Sequence, residues 1–208
     1  MREFRRQLNL IRPGLILTMA SSAGSWAYSN INLPETAKYL TFFDVMTYDF
    51  SGLWQATTGY VAPLYQTQYD PYPANNVDAA ISAYLAAGVP PSKIVMGIPF
   101  YGYGWTVASQ SQDGRFVPGV PVDQGESYAF ITGLMPTFKV YRDGPGKTPF
   151  IFNGTQFWTY DDPQSIKVKM RYAREHRLRG AMAWELSQDL PDGDLLRTIA
   201  NSLKREDD

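Results

Sequence analysis

The sequence predicts an α/β fold built on a parallel sheet and interrupted by a small α+β segment. Apolar strand-like runs alternate with helical segments over much of the chain. Those runs are continuous rather than alternating, which is the pattern of strands covered on both faces in βα units. Between residues 102 and 160 this rhythm gives way to short strand-like runs and Gly/Pro/Asp turns. The expected division is therefore 1–101 and 161–208 as the parallel βα unit, with 102–160 as a separate α+β insertion.

Residues 1–12 place Phe4, Leu8 and Ile11 among charges at near-helical spacing, and Pro13-Gly14 ends that helix. Leu15 to Ala20 reads as a buried strand running into small residues. Leu33 to Leu40 is a short helix with Pro34 suited to its first turn. Phe42 to Phe50 is the next strand, followed by a long loop over 51–75. Val77 to Gly88 is a helix that Asn75 or Asn76 caps, and Gly88 with Pro90-Pro91 stops it. Lys93 to Phe100 and Ala181 to Leu186 are the remaining strands of the sheet.

Within 102–160, the runs Phe138–Arg142, Phe150–Asn153 and Gln156–Tyr160 are strand-like, and Asn153-Gly154 between the last two signals a hairpin. A helix capped by Asp161 or Asp162 runs to Arg174, and Gly193 to Leu203 forms the last helix.

The chain has 208 residues, 44% of them hydrophobic, enough for a real core. Its net charge of −1 argues against a nucleic-acid groove or an anionic membrane surface as partner. No apolar run approaches the ~20 residues of a membrane span. There are no cysteines and one histidine, His176, read as a solvated helix end. No cofactor or metal is expected. The first residues (Arg2, Glu3, Arg5, Arg6) show no apolar leader, and the compartment stays open.

Two strand ends carry candidate chemistry. The run Asp44-Val45-Met46-Thr47-Tyr48-Asp49-Phe50 closes one strand with a phenol and a carboxylate. Gly180-Ala181-Met182-Ala183-Trp184-Glu185-Leu186-Ser187 closes another with an indole and a carboxylate. With 14 Tyr and 5 Trp in the chain, these read as walls of a sugar site, although each aromatic is also compatible with core packing.

These runs, with Leu17-Thr18-Met19-Ala20, Ile31-Asn32-Leu33-Pro34-Glu35, Gly97-Ile98-Pro99-Phe100-Tyr101-Gly102 and Phe157-Trp158-Thr159-Tyr160-Asp161-Asp162, resemble the glycoside hydrolase family 18 chitinases. The resemblance implies a (β/α)8 TIM barrel of which this chain supplies the C-terminal part, strands five to eight, with 102–160 as the α+β insertion after strand seven.

The resemblance also implies substrate-assisted retaining hydrolysis of chitin or other N-acetylglucosamine β-1,4 oligomers. In that chemistry a glutamic acid on strand four protonates the glycosidic oxygen, and the substrate's own acetamide attacks the anomeric carbon. Tyr48 would then orient the acetamide as the catalytic residue present here. Met46, Asp49, Tyr101 and Trp184 would bind the sugar, with Tyr103, Trp54 and Trp105 extending the cleft.

The sequence departs from that family in two places. The Asp-x-x-Asp-x-Asp-x-Glu signature of strand four is absent from these 208 residues. Its imitation at Asp189–Leu196 ends in a leucine and reads instead as capping carboxylates for the last helix. Family members often carry Tyr-Gly-Arg-Gly-Trp where this chain has Tyr101-Gly102-Tyr103-Gly104-Trp105. Glu185 follows Trp184, so strand alternation points it away from the cleft, toward pairing with a basic residue.

The expectation is a truncated chitinase half without its general acid. Two other readings stay open: a non-catalytic chitin-binding, lectin-like pseudoenzyme, and a half-barrel completed by a partner chain or by self-association through its open edges.

Overall fold

The computed structural model describes residues 1–204. From the N-terminus the chain forms α1 (Arg2–Ile11), β1 (Thr18–Ser22), α2 (Ser25–Tyr28), α3 (Leu33–Ala37), β2 (Phe42–Met46), α4 (Val77–Ala86) and β3 (Ile94–Pro99). There follow β4 (Tyr101–Val107), β5 (Gly119–Pro121), β6 (Glu126–Ser127), α5 (Tyr128–Leu134), β7 (Lys139–Arg142), β8 (Pro149–Phe152) and β9 (Gln156–Thr159). The chain closes with α6 (Pro163–Glu175), β10 (Gly180–Trp184) and α7 (Asp194–Leu203).

Four strands make a parallel sheet in the order β1-β2-β3-β10. Its two faces differ. Phe43, Val45, Ile94, Met96 and Ile98 point into the main core, where Ile81 and Tyr84 of α4, Ile166 and Met170 of α6 and Leu195 and Ile199 of α7 cover them. On the other face, Ala20, Asp44, Val95 and Gly180 share one register row. There Ala20 is exposed and Asp44, Met46 and Met182 are only half-buried. Among the described residues, β1 and β10 are the edges of this sheet.

The strands of 102–160 pair with one another in the antiparallel order β5-β4-β9-β8-β7 and do not enter the parallel sheet. Their first strand begins at Tyr101, one residue ahead of the expected boundary. Asn153 accepts the backbone N–H groups of Thr155 and Gln156 at the β8–β9 turn, and Gly154 adopts φ 99° there.

Helix caps follow the sequence. Asn76 Oδ1 accepts Ala79 N at 2.8 Å, and Asp162 Oδ1 accepts Ser165 N at 2.8 Å. Asp189 accepts the N–H groups of Leu195 and Leu196 in the first turn of α7, the capping role expected of that acidic run.

Several elements differ from expectation. The first strand starts at Thr18 rather than Leu15, leaving Ile16 exposed. Helix α1 forms as expected, but none of its residues is buried and Phe4 and Ile11 face outward. It is tethered instead through Arg5, which donates to the backbone oxygens of Leu15 at 2.7 Å and Tyr39 at 2.9 Å.

The loop after β2 does not ride on the surface. Residues 58–64 are all buried. A buried loop needs partners for its backbone polar groups, and several here find them across the fold. Val61 O accepts Phe50 N, Val61 N donates to Thr159 Oγ1 at 3.1 Å, and Leu64 N donates to Gly146 O at 2.8 Å.

Candidate functional site

Strand β2 stops at Met46, and the buried Thr47 fastens the turn by donating to Gly97 O at 2.8 Å. Beyond that anchor the chain presents Tyr48 and Asp49 past the C-terminal strand ends, where parallel α/β sheets bind ligands. Asp49 sits at φ 61°, a left-handed conformation that aspartate tolerates better than most residues.

The Tyr48 ring fits because residue 97 has no side chain. A Cβ there would lie 2.7 Å from Tyr48 Cε1 and 2.8 Å from Val45 O. Gly97→Ala is expected to destabilise the fold by about 1–3 kcal/mol, as overpacking typically does, and to displace the phenol. Urea denaturation combined with near-ultraviolet circular dichroism would check both effects.

Three phenols and a carboxylate form the centre of the site. Tyr48 and Tyr101 meet edge-to-face at 6.0 Å, as do Tyr101 and Tyr103 at 5.4 Å. Tyr101 donates to Asp49 Oδ1 at 2.5 Å, and Tyr103 donates to the same oxygen at 3.0 Å. Oδ2 takes neither bond. Burial first, and then the charge of Asp49, push both of these phenols well above the usual tyrosine range, so they act as fixed neutral donors.

Tyr48 is pushed up to about 12, mainly by burial and then by the charges of Asp49 and Asp44. Among the described residues its hydroxyl has no hydrogen-bond partner, leaving a protonated donor at the cleft. Deeper on the open face, burial also raises the Asp44 carboxyl.

Two adjoining lobes share Met46, Tyr48 and Asp49. The first, about 440 Å3, is completed by Tyr101, Tyr103, Gly125, Gln188 and Trp184, whose indole is 56% exposed at the end of β10. The second, about 680 Å3, extends past Trp54, which is 62% exposed and meets Tyr103 edge-on at 6.0 Å. Met46, Tyr48, Asp49, Tyr101, Tyr103, Trp54 and Trp184 are thus brought to one cleft.

Trp105 is not. Its side chain is fully buried against Phe157, and its Nε1 donates to Gln55 O at 3.0 Å, so it holds the antiparallel sheet to the loop. The expected cleft role for Trp105 is corrected to core packing: its ring sits with Tyr60, Phe150 and Phe157 in the second core, whereas Tyr103, two residues earlier on β4, packs at the edge of that core and reaches the Asp49 carboxylate.

Glu185 also departs from expectation. It accepts from Ser187 Oγ at 2.5 Å, and no basic partner is found for it among the described residues. His176 caps α6 and stacks on Tyr172, away from the cleft. Trp26, Tyr72 and Gln188 also line the cleft, and the sequence reading missed them. The only available signal was their position in segments following strands or loops. Among the described residues no group of three or more His, Cys, Asp or Glu side chains could hold a metal ion.

A parallel α/β sheet with an aromatic, acid-bearing cleft at its strand ends offers surfaces that can stack on and hydrogen-bond to a sugar ring. The profile described as "Glycosyl hydrolases family 18" matches residues 1–189, and the chain belongs to that family. It is 34% identical to Chitinase A1 of Niallia circulans, over 92% of this chain and 29% of that protein. It is 35% identical to Chitinase 63 of Streptomyces plicatus, over 82% of this chain and 28% of that protein. The chain therefore spans under a third of the length of these curated relatives.

Among solved structures, the Group IV chitinase of Ostrinia furnacalis superposes with a TM-score of 0.88 at 29% identity, covering 97% of this chain and 60% of that one. The same enzyme has been solved in complex with allosamidin.

Proposed function

We propose that these residues form the acetamide-orienting and sugar-stacking part of a family 18 chitinase site. The site takes N-acetylglucosamine β-1,4 oligomers and serves the substrate-assisted retaining reaction. The observation that carries this is the Tyr48 hydroxyl, protonated and unpartnered at a cleft flanked by Asp49 and the exposed Trp184 indole.

In that chemistry the substrate's acetamide oxygen is the nucleophile, and retention follows from two displacements at the same carbon. A donor fixed beside that oxygen holds it in attack geometry, which is a positioning contribution. Trp184 presents an indole face to the C–H face of a pyranose ring. Asp49, held by two phenols through one oxygen, offers the other to a sugar hydroxyl as a charge-assisted acceptor.

The general acid of this reaction belongs to a signature that these 208 residues do not contain. We read the uncovered sheet face and the edges β1 and β10 as the place where the remaining barrel strands pack. In this reading 101–160 is the insertion that walls the cleft through Tyr101 and Tyr103.

Calorimetric titration with chitotetraose tests the site. The folded chain should bind it, and Trp184→Ala should weaken binding about tenfold, roughly 1.4 kcal/mol, the scale of an aromatic contact. Unchanged binding by Trp184→Ala would show that the sugar lies elsewhere.

A further inference from the structure

The turn between β8 and β9 can react as well as reverse the chain. Asn153-Gly154 is the one Asn-Gly pair in the sequence, and it lines neither lobe of the cleft. Asn153 and Thr155 are exposed. The space around Gly154 is open: an added Cβ would meet only the Gln110 carboxamide, no nearer than 3.6 Å. Among the described residues Gly154 N donates no hydrogen bond and Asn153 Nδ2 has no partner.

The carboxamide oxygen, by contrast, is held by three donors. Asn153 Oδ1 accepts Thr155 N at 3.0 Å, Gln156 N at 2.8 Å and Thr155 Oγ1 at 3.1 Å. Backbone N–H groups bond only to an acceptor, so the amide oxygen faces them and the amide nitrogen is turned away. The bond to Thr155 N folds the side chain back over the intervening Gly154 peptide, as in an Asx turn. Donors that converge on a carbonyl oxygen stabilise the negative charge that develops there when a nucleophile attacks its carbon.

We propose that Asn153 is a self-modification site, at which the turn converts its own carboxamide to a carboxylate by deamidation. Gly154 N gives up its proton to a base in solvent and attacks Cγ of Asn153. The new N–Cγ bond leaves a tetrahedral oxyanion on Oδ1, facing the Thr155 and Gln156 donors. The Cγ–Nδ2 bond then breaks as Nδ2 takes a proton from water, and ammonia departs. The five-membered succinimide takes up one water, which opens it at either carbonyl to aspartate or to isoaspartate. No oxidant or cofactor is needed, and the turn gains one negative charge. Aspartate accepts from the same donors through charge-assisted bonds and keeps the turn. Isoaspartate inserts a methylene into the main chain and distorts it. The reaction is independent of what the cleft binds.

The test ages the purified 208-residue chain in buffers of increasing alkalinity and follows each asparagine by peptide mapping and mass spectrometry. Asn153 should convert ahead of every other asparagine, and faster as pH rises. The decisive variant is Thr155→Val, which removes the hydroxyl donor and keeps both backbone donors. In the folded chain it should slow conversion about three- to tenfold, the rate equivalent of one ordinary hydrogen bond. Thr155→Ala should slow it alike, and Thr155→Ser should restore the wild-type rate. In urea, where the turn is lost, wild type and all three variants should convert at one common rate.

If Asn153 converts no faster than the other asparagines of the folded chain, or its rate does not rise with pH, the proposal is overturned. It is equally overturned if Thr155→Val and Thr155→Ala leave the folded rate unchanged, or slow the unfolded chain as much as the folded one.

Discussion

The purified 208-residue chain is expected to leave a chromogenic chitobioside unhydrolysed. General acid catalysis alone contributes about 10²–10⁴-fold in rate, and the carboxyls that this chain brings near the cleft are committed otherwise. Asp49 is fixed as an acceptor by two phenols, and Glu185 accepts from Ser187. Asp44 lies on the same sheet face as Met46, and burial raises its carboxyl, which makes it the obvious substitute acid to exclude. Initial rates should match a no-enzyme control for wild type and for Asp44→Asn alike. A second polypeptide carrying the Asp-x-x-Asp-x-Asp-x-Glu strand should raise them. A robust rate from the chain alone that Asp44→Asn abolishes would overturn this account of the chemistry.

Lys169→Ala is expected to be the most damaging single change to the fold. Lys169 and Asp161 are an ion pair with both side chains fully buried, and Ser165 Oγ donates to the other Asp161 oxygen at 2.7 Å. Burial penalises both charges, pushing the ammonium down and the carboxyl up, and their contact opposes this. Removing one partner strands the other charge in the core, at a cost of about 3–5 kcal/mol. Urea denaturation should show that loss. The paired change Asp161→Asn with Lys169→Met should recover much of it, because no unpaired charge is left behind. The pair ties the end of the antiparallel sheet to α6, which covers the parallel sheet, so the damage would propagate to the cleft.

The parallel sheet was legible because its strands are continuous apolar runs bounded by capped helices, as at Asn76 and Asp162. Asn153-Gly154 marked the β8–β9 turn for the same local reason: its chemistry lies in adjacent residues. Boundaries were less legible. Leu15 to Leu17 look like strand, but pairing with β2 begins only at Thr18, and pairing is a property of two segments.

In the site, Tyr48, Asp49 and Trp184 could be placed from their strand-end positions alone. The grip of Tyr101 and Tyr103 on Asp49 could not, since it joins side chains more than fifty residues apart. Trp105 shows the limit of reading aromatic content as ligand contact. Tyr103 and Trp105 are two residues apart on β4, yet one lines the cleft and the other fills a core. Tyr60 of the buried 58–64 loop shares the core with Trp105, while the Tyr103 hydroxyl reaches Asp49, and neither contact is written in the composition.

The central claim is that Tyr48 recognises an acetamide. It is tested most directly by comparing chitotetraose with cellotetraose, which has hydroxyls in place of the acetamido groups, on folded wild-type chain and Tyr48→Phe. Wild type should prefer chitotetraose clearly, and Tyr48→Phe should lose part of that preference, about 0.5–1.5 kcal/mol for one hydrogen bond, while its ring keeps the stacking. Equal binding of the two oligomers by wild type, or an unchanged preference in Tyr48→Phe, would contradict the assignment.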